Sequence, residues 1–443
     1  MTEGSAEETH EEGPPARSGG HVSRLRRLAR TVVADTTPLR VSPDYRRLWF
    51  GLTVSNLGQQ MTAVAVAIQV FAITGSSFAV GLVGLFAFVP LVAFGLYGGA
   101  IVDAFDRRRV ALIASLVMAV ASFGLLAQAA AGIGSVWLIY LLVAVASAGF
   151  AVNNPARAAI IPRLIGRDLL PAANALQQVT WNLGFTVGPL FGGALIAITG
   201  SVVIAYGIDC VTFLAALWAV WRLPPVPPET AEGELPAKAG LASVMEGLRF
   251  LRDKKNILMT FLVDINAMIF GMPRALFPAV AVLFYGGGAA TVGVLAAAPA
   301  VGALITATFS GGLARVRRQG LAVMVAVVVW GLAIAAFGFT RVLWVGVLFL
   351  AIAGGADMVS AVFRSTILQV ATPDALRGRL QGIFIVVVAG GPRLGDVESG
   401  SVAAITNETI SIVSGGLLCV LGVFVLAAIF PAFARYDARH PVP

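Results

Sequence analysis

The chain has 443 residues, of which 58% are hydrophobic and only 12% are charged, and its mean hydropathy is +0.87. Soluble domains carry about 25% charged residues, so this composition is too apolar for one and predicts an integral membrane protein with many spans. The formal net charge of +8 comes from basic residues scattered over short loops. That distribution is typical of cytoplasmic loops in membrane proteins rather than of a nucleic-acid-binding patch, and we expect no nucleic-acid partner.

The chain opens with a polar tail, residues 1–44, that lacks the apolar core of a signal peptide. Acidic residues come first, and the arginine-rich stretch RLRRLAR follows at 24–30. We expect a disordered cytoplasmic tail whose arginines lie along anionic lipid headgroups.

Twelve apolar segments are each long enough to cross a bilayer, which takes about 20 residues. They lie near 47–73, 79–102, 110–131, 136–156, 172–198, 202–222, 256–285, 290–313, 320–339, 342–364, 378–405 and 409–434. Alternate loops are rich in lysine and arginine, whereas the loops TGSS, GIGS, ITGS and YGGG are nearly uncharged. This bias predicts a multi-pass protein of the cytoplasmic membrane with both termini in the cytoplasm.

The longest loop, 223–255, divides the spans into two sets of six. The predicted fold class is therefore an all-α integral membrane protein with twelve transmembrane helices in two six-helix halves. The predicted domains are a tail (1–44), a first bundle (45–222), a linker (223–255), a second bundle (256–434) and a second tail (435–443). Within the linker, MEGLRFLRD has helical spacing and is expected at the membrane surface.

The two halves resemble each other in sequence. A shift of 207 residues superposes Arg157 on Arg364 and lays GFTVGPLFGG (184–193) over GPRLGDVESG (391–400), matching three glycines. Chance matching in glycine-rich spans is the alternative, but the common shift across two spans favours a true repeat. Two similar halves around a midplane site are the plan of a secondary transporter.

Histidine and cysteine are scarce in the predicted spans. The three histidines lie in the tails, and Cys210 and Cys419 lie in apolar stretches far apart. We expect no disulfide, metal site or cofactor, and no enzyme, because neither a nucleophilic constellation nor a nucleotide-binding loop occurs. A proton that crosses the spans must therefore ride on aspartate or glutamate.

The predicted eleventh span carries three charges within GPRLGDVESG. Arg393 and Asp396 are spaced i,i+3 and are predicted to form an ion pair, whereas Glu398 points about 140° away from Arg393. Intramembrane carboxylates are functional candidates by default. The proton-coupling candidates are Asp264, Asp396 and Glu398, although a purely structural ion pair at Arg393 and Asp396 remains an alternative.

Several uncharged polar residues in the spans are candidates to line a substrate cavity. They are Asn56, Gln59, Gln60, Gln177 and Asn182. The alternative for each is a hydrogen bond between helices.

The cytoplasmic loop after the second span reads GGAIVDAFDRRRVAL (98–112). It resembles the G-x-x-x-D-(R/K)-x-G-(R/K)-(R/K) signature of the major facilitator superfamily. The matching residues are Gly99, Asp103, Arg107 and Arg108. Ala104 and Asp106 depart from the pattern. The resemblance implies a cytoplasmic latch in which Asp103 faces the N-terminal end of the eleventh span, with Arg157 as a partner.

The fifth span contains a complete G-x-x-x-G-P-x-x-G-G pattern at Gly184, Gly188, Pro189, Gly192 and Gly193. It is similar to the signature of drug/proton antiporters in the same superfamily and favours export over uptake. Small residues allow close helix contact and proline permits a bend. Simple close packing is the alternative.

Over residues 42–436 the chain resembles the enterobactin-exporter-like, drug-efflux branch of that superfamily, for example in PARAAIIPRLIGRDLLPAANALQQVTWNLG and ILQVATPDALRGRLQG. The resemblance implies a monomeric secondary active transporter that exports a small lipophilic or siderophore-like molecule by proton antiport and alternating access. One departure concerns the first span, where many relatives carry an acid near Gly58 and this chain has Gln59 and Gln60. An uptake permease and a non-transporting membrane scaffold or sensor are the alternative functions.

Overall fold

The computed structural model describes residues 35–166, 168–227, 249–252, 254–371 and 374–437. The main helices are α1 Pro43–Thr74, α2 Ser77–Ala104, α3 Arg107–Ala130, α4 Val136–Ile165, α5 Leu170–Thr199, α6 Val202–Trp221, α7a Lys255–Phe270, α7b Phe277–Leu283, α8 Ala289–Thr308, α9 Gln319–Phe339, α10 Leu343–Ala371, α11 Asp374–Ile405 and α12 Glu408–Ile429. Among the described residues, eleven spans are long and apolar enough to cross a membrane. The charged helix α11 is not one of these eleven, but its 32 residues give it sufficient length.

Two of the short uncharged loops use the same pair of residues, a glycine that ends one helix and a serine that begins the next. Gly75 after α1 and Gly200 after α5 adopt left-handed backbone conformations, with φ of 62° and 69°. The next residue in each loop, Ser76 or Ser201, accepts a backbone hydrogen bond from the first turn of the following helix. Glycine tolerates the left-handed region, and serine is a favoured N-cap, so the T-G-S sequence predicts both ends.

The two halves repeat the same packing arrangement. In the first half α1 packs on α5 and α6, α2 on α4, and α3 on α4 and α6. The same pairs recur six spans later, with α7a on α11 and α12, α8 on α10, and α9 on α10 and α12. Buried Tyr206 and Ile139 belong to the first core, whereas Leu295 and Phe337 belong to the second. This correspondence supports the internal repeat predicted from the sequence.

The seventh span differs from the single helix predicted at 256–285. It breaks after Phe270, passes through a short 3₁₀ turn at Arg274–Leu276 and resumes as α7b. Pro273 lacks a backbone N–H and restricts the residue before it, which explains the break. The Gly271 carbonyl accepts a hydrogen bond from Trp330 Nε1 at 2.9 Å.

At both ends of the chain, structure extends beyond the predicted boundary between bundle and tail. Residues 37–41 form a short helix and α1 starts at Pro43, so the described end of the first tail is helical. At the other end, Tyr436 is 4% exposed and Asp437 forms an ion pair with Arg317 at 3.2 Å. Most of the predicted surface helix MEGLRFLRD lies outside the described residues.

The two halves meet along two seams, where α2 packs against α11 and α5 packs against α8. A Cβ atom at Gly81 of α2 would lie 2.5 Å from the Asp396 carbonyl oxygen, and one at Gly193 of α5 would lie 2.8 Å from the Gly293 Cα atom of α8. These contacts lie near the ends of the helices that carry the uncharged loops. Ser77 Oγ of α2 also donates to Glu408 Oε1 of α12 at 3.0 Å, which adds a further contact between the two halves. The bundle is therefore closed on the side of the uncharged loops.

Candidate transport site

A first group of charges lies inside the second half. Arg364 of α10 forms a close ion pair with Asp264 of α7a, and a looser one with Asp357 at 3.5 Å. The Arg364 and Asp264 side chains are 3% and 1% exposed, whereas that of Asp357 is 42% exposed. Asp264 lies about 13 Å from the start of its helix. We call these three residues the inner cluster.

Burial of the inner cluster explains why its charges are paired. An isolated charge in a low-dielectric interior is strongly disfavoured, and a close partner offsets much of that penalty. Arg364 is one cation facing two carboxylates, Asp264 and Asp357. Asp264 was predicted as a candidate from the sequence, whereas its neighbours Arg364 and Asp357 were not predicted as site residues. The repeat, which superposes Arg364 on Arg157, was the signal for Arg364.

A second group of charges lies at the seam between α2 and α11. Asp396 Oδ2 is 3.5 Å from Arg274 Nη2, so its ion-pair partner comes from the break in the seventh span. The structure therefore differs from the predicted pair of Arg393 with Asp396. Arg274 reaches Asp396 because the 3₁₀ turn packs against α11. We call Arg274, Arg393, Asp396 and Glu398 the seam cluster.

All four members of the seam cluster have a buried polar atom without a hydrogen-bond partner among the described residues. These atoms are Arg274 Nε, Arg393 Nη1, Asp396 Oδ1 and Glu398 Oε2. The Arg393 carbonyl oxygen lies 2.5 Å from the Cβ position of Gly84, so the residue belongs to the inter-half contact. Unsatisfied buried groups are uncommon in folded proteins. Their presence at the seam between the two halves marks these residues as a candidate functional site.

The first half buries a carboxylate with different partners. Asp209 of α6 is 1% exposed, and its Oδ2 accepts hydrogen bonds from Thr62 at 2.9 Å and Ser122 at 2.8 Å. Its Oδ1 lies beside Gly58 and has no hydrogen-bond partner among the described residues. Asp209 links α1, α3 and α6, which is a role the sequence analysis did not assign.

Three of the predicted cavity residues make hydrogen bonds, either within one helix or between two helices. Asn56 donates to the Thr180 carbonyl of α5 at 2.9 Å, and Gln59 donates to Ser55 of its own helix at 3.2 and 3.1 Å. Asn182 accepts from Gln178 at 3.2 Å. The Asn56 bond joins two helices and fits the interhelical alternative, whereas the Gln59 and Asn182 bonds lie within their own helices.

The other two predicted cavity residues have different surroundings. Gln60 packs its Cβ atom 2.5 Å from the Cβ position of Gly188. Gln177 is half-buried on α5. As with the other predicted cavity residues, a role in substrate binding stays a prediction.

The glycines of the fifth span contact two neighbours. Gly184, Gly188 and Gly192 pack on α1, and Gly193 packs on α8 across the inter-half seam. Pro189 lies inside α5 with its carbonyl group against Gly293. In the second half, Gly391 and Gly395 of α11 pack on α7a, and Gly400 packs on α2. The superposed sequences thus occupy corresponding positions, and the motif serves close helix contact in both halves.

The predicted latch is described in part. The surroundings of Gly99 and of the Asp103 side chain lie outside what the structure describes. Arg157 is half-buried in α4, where Nη2 lies 3.5 Å from Ser115 Oγ of α3. Arg107 donates its backbone N–H to the Val226 carbonyl at 2.9 Å.

Asp106, which departs from the superfamily signature, has a definite structural role. Its Oδ1 caps α3 by accepting from the Arg109 N–H at 2.9 Å, and its Oδ2 accepts from the Val226 N–H at 3.0 Å. The carboxylate therefore fastens the segment after α6 to the start of α3. The substitution of aspartate for the expected glycine is explained by this pair of bonds.

Comparison with known proteins agrees with this architecture. Residues 34–440 match the sequence profile of the family described as transmembrane secretion effector. The chain is 31% identical over 410 residues to the enterobactin exporter EntS of Citrobacter koseri, covering 91% of this chain and 96% of the relative. It is 32% identical over 399 residues to EntS of Shigella boydii, covering 88% and 92%.

A solved structure extends the comparison to the fold. A POT family transporter in complex with 5-aminolevulinic acid superposes with a TM-score of 0.69 at 10% identity, covering 88% of this chain and 97% of that one. The likeness confirms the predicted all-α membrane fold. With the family match over nearly the whole chain and two six-helix halves packed alike, the chain belongs to the transmembrane secretion effector family of the major facilitator superfamily.

Proposed function

We propose that this protein is a secondary active transporter that exports a small lipophilic or siderophore-like compound in exchange for protons. The similarity to enterobactin exporters supports the substrate class. Alternating access would rock the half containing α1–α6 against the half containing α7a–α12. We further propose that it works as a monomer in the cell membrane with both termini in the cytoplasm, as the basic loops indicate.

The position of Asp396 is the observation that carries the coupling proposal. Its backbone carbonyl contacts Gly81 and its Cβ atom lies 3.0 Å from the Cβ position of Gly84, so this residue forms part of the α2–α11 seam. The seam is closed in this structure and must separate when the transporter opens on the side of the uncharged loops. Asp396 is thus buried in one state and reached by water in the other.

Asp396 is a better proton carrier than the other two candidates. Asp264 forms a close ion pair with Arg364 in which both side chains are almost fully buried, and this pairing favours the ionised carboxylate. Asp396 has only a 3.5 Å contact with Arg274, whose side chain is 40% exposed. Glu398 lies on the same helix and is the second candidate. A proton taken up by Asp396 from the outer side neutralises the carboxylate and leaves Arg274 without its counter-charge.

Competition between proton and substrate completes the exchange. In the inner-open state the substrate binds and the proton leaves Asp396 to the cytoplasm. In the outer-open state a proton from outside returns to Asp396 and the substrate is released. Each cycle moves one proton inward through Asp396 and releases one substrate molecule outside. No covalent bond in the substrate changes.

The coupling proposal is tested in everted membrane vesicles that hold a preset pH gradient. Addition of enterobactin or a lipophilic drug is expected to collapse the gradient in the unmodified protein and in Asp44→Asn, a matched surface carboxylate of α1. Asp396→Asn should abolish the collapse. Substrate uptake into the vesicles that proceeds without proton movement would refute the coupling while leaving export intact.

Topology and assembly have separate tests. A C-terminal epitope should be digested by protease in everted vesicles and protected in intact cells. Mass photometry of the purified protein should give one protomer per micelle. Protection in everted vesicles would place the C-terminus outside and overturn the orientation.

A further inference from the structure

The outer surface of the first half contains an apolar groove between α3 and α6. Its volume is about 500 Å³. The lining residues are Leu112, Ile113, Leu116, Leu214, Leu217, Trp218 and Trp221. They lie in the first turns of α3 and the last turns of α6, so the groove opens within one leaflet. Under the proposed orientation this is the cytoplasmic leaflet.

Two arginines flank the tryptophan at the mouth of the groove. The Arg222 guanidinium carbon lies 5.5 Å from the centre of the Trp221 ring, and Arg108 Nη2 donates to the Trp221 carbonyl oxygen. Neither arginine pairs with a carboxylate among the side chains the structure describes. The nearby Asp106 carboxylate is occupied by backbone N–H groups on both oxygens.

We propose that this groove is a binding site for one anionic phospholipid of the cytoplasmic leaflet. An acyl chain lies along the leucine and tryptophan wall, and the headgroup phosphate lies between the Arg108 and Arg222 guanidinium groups. Charge complementarity selects an anionic lipid, because each arginine near a membrane surface strengthens the binding of anionic lipid headgroups. Guanidinium groups are also well shaped for phosphate oxygens.

The apolar wall of the groove and the arginine cations lie next to each other. Trp218 and Trp221 are 49% and 58% exposed, and Leu116 is 52% exposed, so they offer surface to a lipid rather than to another helix of the bundle. Stacking of Arg222 on Trp221 holds its cation over the groove. A zwitterionic lipid could fill the apolar wall but would gain less at the mouth.

The test is native mass spectrometry of the full-length protein, purified in detergent and titrated with phosphatidylglycerol or with phosphatidylcholine of the same acyl chains. Phosphatidylglycerol is expected to bind more tightly. Arg222→Gln should weaken its binding about fivefold, and Arg108→Gln combined with Arg222→Gln about 25-fold, at roughly a fivefold effect for each arginine. Arg46→Gln, an exposed arginine in the first turn of α1, is the matched control and should not change it.

A second variant tests the apolar wall separately from the charges. Leu116→Trp fills the groove from a lipid-exposed position and should weaken both lipids without changing the melting temperature in lipid-free detergent. Equal binding of the two lipids would overturn the proposal, as would an unchanged preference in the double arginine variant. Displacement of phosphatidylglycerol by millimolar inorganic phosphate would also overturn it, because the site would then recognise free phosphate alone.

Discussion

The glycines of α2 at the seam with α11 are expected to set the balance between the two states of the transporter. A Cβ atom at Gly81 or Gly84 would lie 2.5 Å from a backbone oxygen of α11, at Asp396 or Arg393 respectively. Ordinary contact begins at 3.4 Å, so α11 must move by about 1 Å to admit each methyl group. Alanine at both positions therefore disfavours the closed seam.

The size of the shift follows from the cost of overpacking. Inserting a methyl group into a packed contact costs about 1–3 kcal/mol. At the lower figure the two substitutions together disfavour the closed seam by about 2 kcal/mol, which changes the ratio of closed to open states about 30-fold. Helix propensity adds nothing to this shift, since alanine stabilises the helix equally in both states.

Spin-label distances between the two halves measure the shift. Labels on Thr74→Cys and Thr406→Cys report the separation of α1 and α11 at the closed side, and the native Cys210 and Cys419 are 2% and 0% exposed and stay unlabelled. Gly81→Ala with Gly84→Ala should populate a longer distance. Gly95→Ala, in the same helix with nothing within 4 Å of its Cβ position, is the control. An unchanged distance distribution in the double variant would refute the reasoning.

Three further substitutions have expected outcomes. Asp264→Asn leaves Arg364 buried without its close partner and should lower the stability in detergent by about 3–5 kcal/mol. In a double-mutant cycle measured by thermal unfolding, adding Arg364→Met to Asp264→Asn should recover part of this loss. Additive losses from the two substitutions would contradict the pairing. Asp106→Ala removes the cap of α3 and should cost about 1 kcal/mol, read from the melting temperature. Trp330→Phe leaves the Gly271 carbonyl without its donor and should destabilise the protein by about 1–3 kcal/mol; an unchanged melting temperature would show that this bond is dispensable.

Local sequence signals account for most of the fold. Apolar runs located the spans, and the T-G-S loops carried both a helix stop and a helix start. The break in the seventh span also had a signal, because Gly271 and Pro273 stand two residues apart in an otherwise apolar stretch. The length of that stretch suggested one continuous helix, and length alone cannot show where backbone hydrogen bonding is interrupted.

The partners in the buried ion pairs could not be predicted from residue spacing in the sequence. Arg393 and Asp396 are neighbours on a helix surface, yet Arg274 reaches Asp396 from a segment more than one hundred residues away in sequence. Helical spacing describes an isolated helix, whereas a buried ion pair is chosen by the packing of several helices. The pair of Asp264 with Arg364 was inaccessible for the same reason, although the repeat had already singled out Arg364 as a charged residue shared by both halves.

The charges of the second half have a consequence for membrane voltage. The inner and seam clusters together contain four carboxylates (Asp264, Asp357, Asp396 and Glu398) and three arginines (Arg274, Arg364 and Arg393), leaving one negative charge in excess when all are ionised. One proton on any of the carboxylates balances the set. If rocking carries that charge through the full field, the unprotonated clusters experience about 2.3 kcal/mol per 100 mV, while the protonated clusters carry no net charge through it. The membrane potential would then act mainly on the deprotonated leg of the cycle, and export would be electrogenic when the compound itself carries no charge.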